Sequence, residues 1–356
     1  MKGVLFCADG GEKAGAGHLM RCLALAQHLV KRGLSCHLTT WGDAGDALAR
    51  WRRTGIPIHI TPWRSSRKQG EITAQLALSL DARWVVADGY GFDLPFQEVV
   101  KEAGLKLLLF DDLAQDPLTA DVVVNPNAGA QEEALYRCPV STNLLLGCKY
   151  AMIREEFIHA PPRTRKGSFR ILVTFGCGRT GHLVRAAIEG LNLIRVPFEG
   201  MAICGDKAGA LAGGGGIKDD RWTILGPTSR MADIMANADL ALCAGGTTTL
   251  ELAYMGVPMV IVTLSENQIR GTRALAKKGG ALGAGDSQEG IGQAPRLIEA
   301  LLKSPGRLKT MRRVGRALVD GRGPERVGAW VEHFHGTRDL KEPDIHKGVY
   351  SCPGQI

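Results

Sequence analysis

Short apolar runs alternate with amphipathic stretches along this chain, and the alternation starts afresh halfway through. In the first half the strand candidates are Val4–Cys7, Cys36–Thr40, Ile56–Ile60, Trp84–Ala87, Leu107–Phe110 and Asp121–Asn125, with helices at 18–32, 43–53, 70–80 and 94–103. Strands buried on both faces read as unbroken apolar runs, and parallel pairing needs a helical crossover between them. The rhythm therefore predicts an α/β fold of parallel sheets with right-handed crossovers. Ala160-Pro-Pro-Arg-Thr-Arg-Lys-Gly167 interrupts it; Pro-rich, basic and without apolar periodicity, it reads as a linker. Beyond it Phe169–Phe175, Gly200–Cys204, Trp222–Leu225, Leu240–Cys243 and Met259–Thr263 read as strands, between helices at 181–194, 229–237, 248–255 and from about 266 onward. Two Rossmann-like domains are expected, 1–160 and 168–336, joined by 161–167 and facing a central cleft at the carboxyl ends of their strands. Residues 337–356 show no pattern and read as a loose tail, and Gly213–Gly216 as a surface loop.

The chain has 356 residues, 45% of them hydrophobic, which is enough for two cores. No apolar stretch approaches membrane-spanning length, and the start reads as a strand rather than a signal peptide, so a cytoplasmic protein without an integral membrane segment is expected. The 9 cysteines form no Cys-x-x-Cys pair and most fall inside strands or helices, where they act as small hydrophobes. A net charge of +8 gathers at 50–53, 163–166 and 307–313 with no aromatic interleaved except Trp51, which argues for solvated faces over a nucleic-acid partner.

Two glycine-rich loops carry the candidate chemistry. The first, Gly15-Ala-Gly17-His18-Leu-Met-Arg21, follows the first strand and opens a helix whose Leu19, Cys22, Leu23, Ala26 and Val30 make one apolar face. Glycine lets backbone approach a ligand, and His18 lies in the first turn beside free N–H groups. The positive end of the helix is expected to disfavour imidazolium and keep His18 neutral, ready to accept a proton; the same residue can also simply cap the turn. The second loop, Ala244-Gly245-Gly246-Thr247-Thr248-Thr-Leu250-Glu251, again joins strand to helix. Its N–H groups suit anionic oxygens, and Glu251 suits a ribose diol; a plain turn and a solvated glutamate would read alike. Glu266-Asn267-Gln268 follows another strand, where amide side chains can read sugar hydroxyl or acetamido groups or cap a helix.

In order, Gly15-x-Gly17-His18-x-x-Arg21, Val86-Ala-Asp88-Gly-Tyr90, Phe110-Asp-Asp-Leu-Ala114, Leu146-Gly-Cys-Lys-Tyr-Ala151 with Arg154-Glu-Glu-Phe157, Ala244-Gly-Gly-Thr-Thr-Thr-Leu-Glu251 and Glu266-Asn-Gln268 resemble the PseG-type UDP-sugar hydrolases, relatives of the MurG-type glycosyltransferases, over residues 3–335. The resemblance implies a GT-B-like fold and hydrolysis of UDP-2,4-diacetamido-2,4,6-trideoxy-β-L-altropyranose to UDP and free sugar, as in pseudaminic acid biosynthesis, with no metal and no cofactor. It implies His18 as catalytic base and Tyr90 and Asn267 at the sugar. Gly245, Gly246 and Thr247 would lie at the diphosphate, Glu251 at the ribose, and backbone near Met231 at uracil. Gly15, Gly17, Arg21, Asp88, Thr248 and Gln268 complete the expected substrate contacts. Two departures stand out: Gly176-Cys-Gly-Arg-Thr180 replaces the family's usual Gly-Gly-Ser-Asp-Pro, and Gly89 stands where a histidine is usual. A glycosyltransferase using His18 on an acceptor hydroxyl fits the same motifs, as does a non-catalytic sugar-nucleotide binder. Gly176-Cys-Gly178-Arg-Thr-Gly181 also matches the dinucleotide fingerprint, but the acidic residue expected after the next strand is poorly placed, Asp206 lying beyond Gly205.

Overall fold

A computed structural model describes residues 3–10, 16–42, 45–114, 116–133, 136–162, 167–205, 219–333 and 349–351. Gly15, the basic run 163–166, Asp206 and Gly213–Gly216 lie outside the described residues. The chain divides into two compact units, Met1–Arg154 with Gly321–Ile356, and Glu155–Asp320.

The first unit holds an eight-stranded sheet. Its strands are β1 (Gly3–Asp9), β2 (Cys36–Trp41), β3 (Ile58–Ile60), β4 (Ala82–Asp88), β5 (Lys106–Phe110), β6 (Val122–Asn125), β7 (Asn143–Leu146) and, from the C-terminal segment, β14 (Val349–Ser351). The order is β14-β7-β6-β5-β4-β1-β2-β3, parallel except for β14 against β7. The second unit holds β8 (Arg170–Thr174), β9 (Glu199–Ile203), β10 (Trp222–Leu225), β11 (Leu240–Ala244), β12 (Met259–Thr263) and β13 (Ala281–Asp286), ordered β10-β9-β8-β11-β12-β13 and parallel throughout. In its own strand count the second sheet runs 3-2-1-4-5-6, the doubly wound order of Rossmann folds, and the first runs the same order with two further strands beyond the sixth. The point of chain reversal falls between β1 and β4 in one unit and between β8 and β11 in the other. Ligands bind in open α/β sheets at that point, beyond the carboxyl ends of the strands.

Burial explains the strand assignments: Val4 to Ala8, Val85 to Ala87 and Leu240 to Cys243 are fully enclosed between helical layers. α1 (Gly17–Lys31) lays Leu19, Cys22, Leu25, Ala26 and Leu29 into the first core, where Trp51 and Phe6 also pack.

The structure differs from the expected boundaries in four places, the first being that the second unit begins at Glu155, ahead of the linker expected at 161–167. The helix Gly323–His333 belongs to the first unit, because Val327 and Val331 are buried in its core and Arg326 Nη1 donates to Lys149 O (2.7 Å). Within the expected tail, 349–351 form β14, paired with β7. The segment expected to be helical from about 266 onward contains β13, whose Ala-Leu-Gly-Ala-Gly-Asp sequence gives little strand signal and which is held by pairing with β12. Among the described residues no helix is long and apolar enough to cross a membrane.

Candidate functional site

In the first unit the reversal point brings together residues from four loops. α1 starts at Gly17, so His18 is in its first turn, and Arg21 lies one turn on, on the same face. Asp88 ends β4, paired with Ala8 of β1 on one side and Phe110 of β5 on the other. Asp112 follows β5, and Asn127 follows β6. Adjacent parallel strands deliver all of these to one edge of the sheet.

His18 Nδ1 lies 2.6 Å from Asp88 Oδ1. Because an ionised carboxylate only accepts, the ring donates from Nδ1, and in its neutral form the lone pair is on Nε2. Arg21 grips the same carboxylate through Nε to Oδ2 (2.7 Å) and Nη2 to Oδ1 (2.6 Å). It grips a second carboxylate through Nη1 to Asp112 Oδ1 (2.7 Å) and Nη2 to Asp112 Oδ2 (3.1 Å). The guanidinium also lies over the Phe110 ring, 4.9 Å from its centroid. Asn127 Nδ2 donates to Asp112 Oδ1 (2.8 Å). Tyr90, half exposed, sets its ring edge-on to His18, with centroids 5.0 Å apart. A cavity beside these groups is lined by His18, Tyr90, Phe92, Asp111, Asp112 and Asp116, among others.

The electrostatics overturn one expectation. Burial of His18 disfavours the charged ring, but the Asp88 carboxylate and its hydrogen bond outweigh that, against an opposing push from Arg21, and hold the imidazole above the usual 6.5. The helix terminus, expected to keep the ring neutral, carries only a partial charge, whereas Asp88 is a full one in contact. Burial pushes the Asp88 carboxyl up, yet the adjacent Arg21 and His18 bring it below 3.8.

Two expected substrate contacts have internal partners. Asp88 is fully enclosed and Arg21 is 4% exposed, and their polar atoms are spent on each other, on His18 and on Asp112. Both brace His18, and Arg21 also lines the cavity beside it. Asp111 caps its own turn, accepting from Leu113 N and Ala114 N. Gly89 has φ +155°, and a Cβ there would come within 2.9 Å of Asp9 Cβ. This backbone resists the histidine usual in the resembled family.

In the second unit β8 and β11 are neighbours, Thr174 pairing with Cys243, so Gly176–Thr180 and Gly245–Thr247 leave the sheet side by side. Gly178 O packs against Gly205, just past β9. Gly245 N–H is not free for a ligand: it donates to Gln268 Oε1 (3.0 Å), as does Leu264 N–H (2.9 Å). Gln268, expected at the sugar, ties the loop after β11 to the loop after β12 through its Oε1. A Cβ on Gly245 would meet Oγ1 of Thr272, on the helix Ile269–Lys277, at 2.7 Å, so close packing of that helix requires glycine. Gly246 has nothing within 4 Å of where a Cβ would sit. Thr249 Oγ1 and N donate to Gly246 O (2.8 and 3.0 Å), while the N–H groups of Gly246, Thr247 and Thr248 have no acceptor among the described residues. Glu251 is half-buried on the helix Thr248–Met255, which packs against the helix Met231–Ala236 begun by Met231. Asn267 lies in the short 3-10 turn after β12 and accepts from Ser265 Oγ (2.5 Å).

The roles of Asp88, Asp112, Asn127 and Gln268 as internal braces were not legible in the motifs. The only sequence signal for them was their place at strand ends.

Residues 216–317 match the glycosyltransferase family 28 C-terminal domain. The chain is 25% identical to the spore coat polysaccharide biosynthesis protein SpsG of Bacillus subtilis, over 95% of this chain and 98% of that protein. It is 27% identical to the UDP-2,4-diacetamido-2,4,6-trideoxy-beta-L-altropyranose hydrolase of Campylobacter jejuni, over 49% of this chain and 60% of that one. An uncharacterized protein of Methanocaldococcus jannaschii is 23% identical over 74% of this chain, which spans 56% of the archaeal protein's length. Among solved structures MurG of Acinetobacter baumannii superposes with a TM-score of 0.63 at 18% identity, over 94% of this chain and all (100%) of that one. The chain thus has the fold of the GT-B glycosyltransferases, two parallel-sheet Rossmann-like units.

Proposed function

We propose that this chain is a nucleotide-sugar enzyme that breaks a glycosyl–phosphate bond by direct displacement at the anomeric carbon, with His18 as general base. The observation that carries the reading is the buried His18–Asp88 pair: Nδ1–H is committed to a carboxylate, which leaves Nε2 to take a proton. As Nε2 removes that proton, the attacking oxygen bonds to the anomeric carbon. The carbon–oxygen bond to phosphate breaks, and its electron pair leaves on the nucleoside diphosphate. The free N–H groups of Gly246, Thr247 and Thr248 receive that charge, each preorganised donor contributing on the order of 10²–10³ in rate. Tyr90 and Asn267 contact the sugar, Glu251 accepts from the ribose hydroxyls, and backbone at Met231 reads the base.

Hydrolysis of a UDP-linked 2,4-diacetamido-trideoxy sugar, with water as the attacking group, is supported by the motif order and by the Campylobacter relative. Transfer to an acceptor hydroxyl is supported by the family 28 match over 216–317. Mass spectrometry of the products from a panel of UDP-diacetamido sugars decides between them. UDP and free sugar formed without acceptor establish hydrolysis, whereas UDP formed only with an acceptor establishes transfer. His18→Asn retains UDP binding and abolishes turnover; most of the wild-type rate surviving in that variant removes His18 from its role.

A further inference from the structure

We infer that Asp112 is a positioning residue for this reaction: through Arg21 it fixes how the Asp88 carboxylate holds His18 and how basic the imidazole is. The inference rests on His18 as the base. Arg21 divides its hydrogen bonds between two carboxylates, one from β4 and one from the loop after β5, and Asn127 anchors the second. A structural arginine is neutralised by one buried carboxylate. Here two face one guanidinium, so with neutral His18 the group Asp88, Asp112 and Arg21 carries one net negative charge. A proton on His18 cancels it. Without the Asp112 charge the same group is neutral, and protonating His18 makes it positive, in a setting where burial already disfavours imidazolium. Asp112 also restrains the guanidinium from one side, so the Asp88 oxygens stay aligned on Nδ1.

The charged and titratable groups around His18 are Asp88 and Tyr90 from the end of β4, Arg21 and Cys22 from α1, and Asp93, Asp111, Asp112 and Asp116 along the cavity. Beyond Asp88 itself, Asp112 is the carboxylate joined to His18 by hydrogen bonds, through Arg21 and Asp88, whereas Asp93 bonds to Ser66 and Asp111 caps a turn.

The test is Asp112→Asn in the full chain, read by an NMR titration of the His18 ring and by the pH profile of UDP release. The expected result is a lower His18 pKa, an acid limb of kcat/KM displaced to lower pH by the same amount, a plateau kcat reduced on the order of a few-fold by the weaker base, and an unchanged KM. Asp112→Glu, which keeps the charge, restores the His18 titration toward wild type. If Asp112→Asn loses its circular dichroism, Asp112→Ser carries the same neutralisation with a hydroxyl still able to accept from Nη1. A His18 titration that does not move in a folded variant overturns the inference. A titration that moves while the acid limb of the rate stays put upholds the coupling and refutes His18 as the base.

Discussion

Replacing Asp88 by asparagine changes one atom and one charge at the point where α1, β4 and the loop after β5 meet. In the wild type Asp88 Oδ1 accepts from both His18 Nδ1 and Arg21 Nη2, and Oδ2 accepts from Arg21 Nε. An amide has one oxygen. Whichever way the new side chain turns, its NH2 faces an arginine donor, and if the NH2 takes the Oδ1 position it also donates to His18 Nδ1. That would select the tautomer with the proton on Nε2, the nitrogen that has to be empty. Breaking a buried ion pair on one side costs about 3–5 kcal/mol, which at ~2–4 °C per kcal/mol for a unit of this size lowers Tm on the order of 10 °C. The catalytic loss is that of a general base in the wrong tautomer, about 10²–10⁴ in kcat. Differential scanning calorimetry and UDP release at a temperature where the variant is folded measure the two effects separately. A folded Asp88→Asn protein with kcat within threefold of wild type refutes the reasoning, because the Asp88 carboxylate would then not govern the state of His18.

The pH dependence follows from the direction of the His18 shift. Its folded pKa lies above 6.5, so its contribution to stability is complete below 6.5 and is lost as pH rises through the folded value, while the rate climbs through that same value as the base is freed. Melting temperature against pH should show this loss in the wild type and not in His18→Asn. In the second unit two adjacent glycines should respond differently. Gly245→Ala drives a Cβ to 2.7 Å from Thr272 Oγ1 and should destabilise by about 1–3 kcal/mol, read by denaturant unfolding. Gly246→Val has room in the protein, so stability should hold within about 0.5 kcal/mol, while on the proposed diphosphate site UDP affinity by calorimetry falls at least tenfold. Unchanged UDP affinity in folded Gly246→Val would remove that loop from the nucleotide site.

Apolar periodicity and glycine placement were enough to determine the alternation of strand and helix, both loops at strand ends, and His18 in the first turn of α1, because those features are written within a few residues. Trp222–Leu225, Thr248–Met255 and Met259–Thr263 were readable to the residue. What the loops do internally was decided by tertiary structure alone. Arg21 meets Asp88 across 67 residues and Asp112 across 91, and Gly245 meets Gln268 across 23. A carboxylate that braces a histidine and one that faces a ligand look the same in sequence, and only the order of strands in the sheet separates them. The return of Gly323–His333 to the first core is of the same kind: two valines buried at one-turn spacing specify an amphipathic helix, and the surface that accepts them is set by the fold.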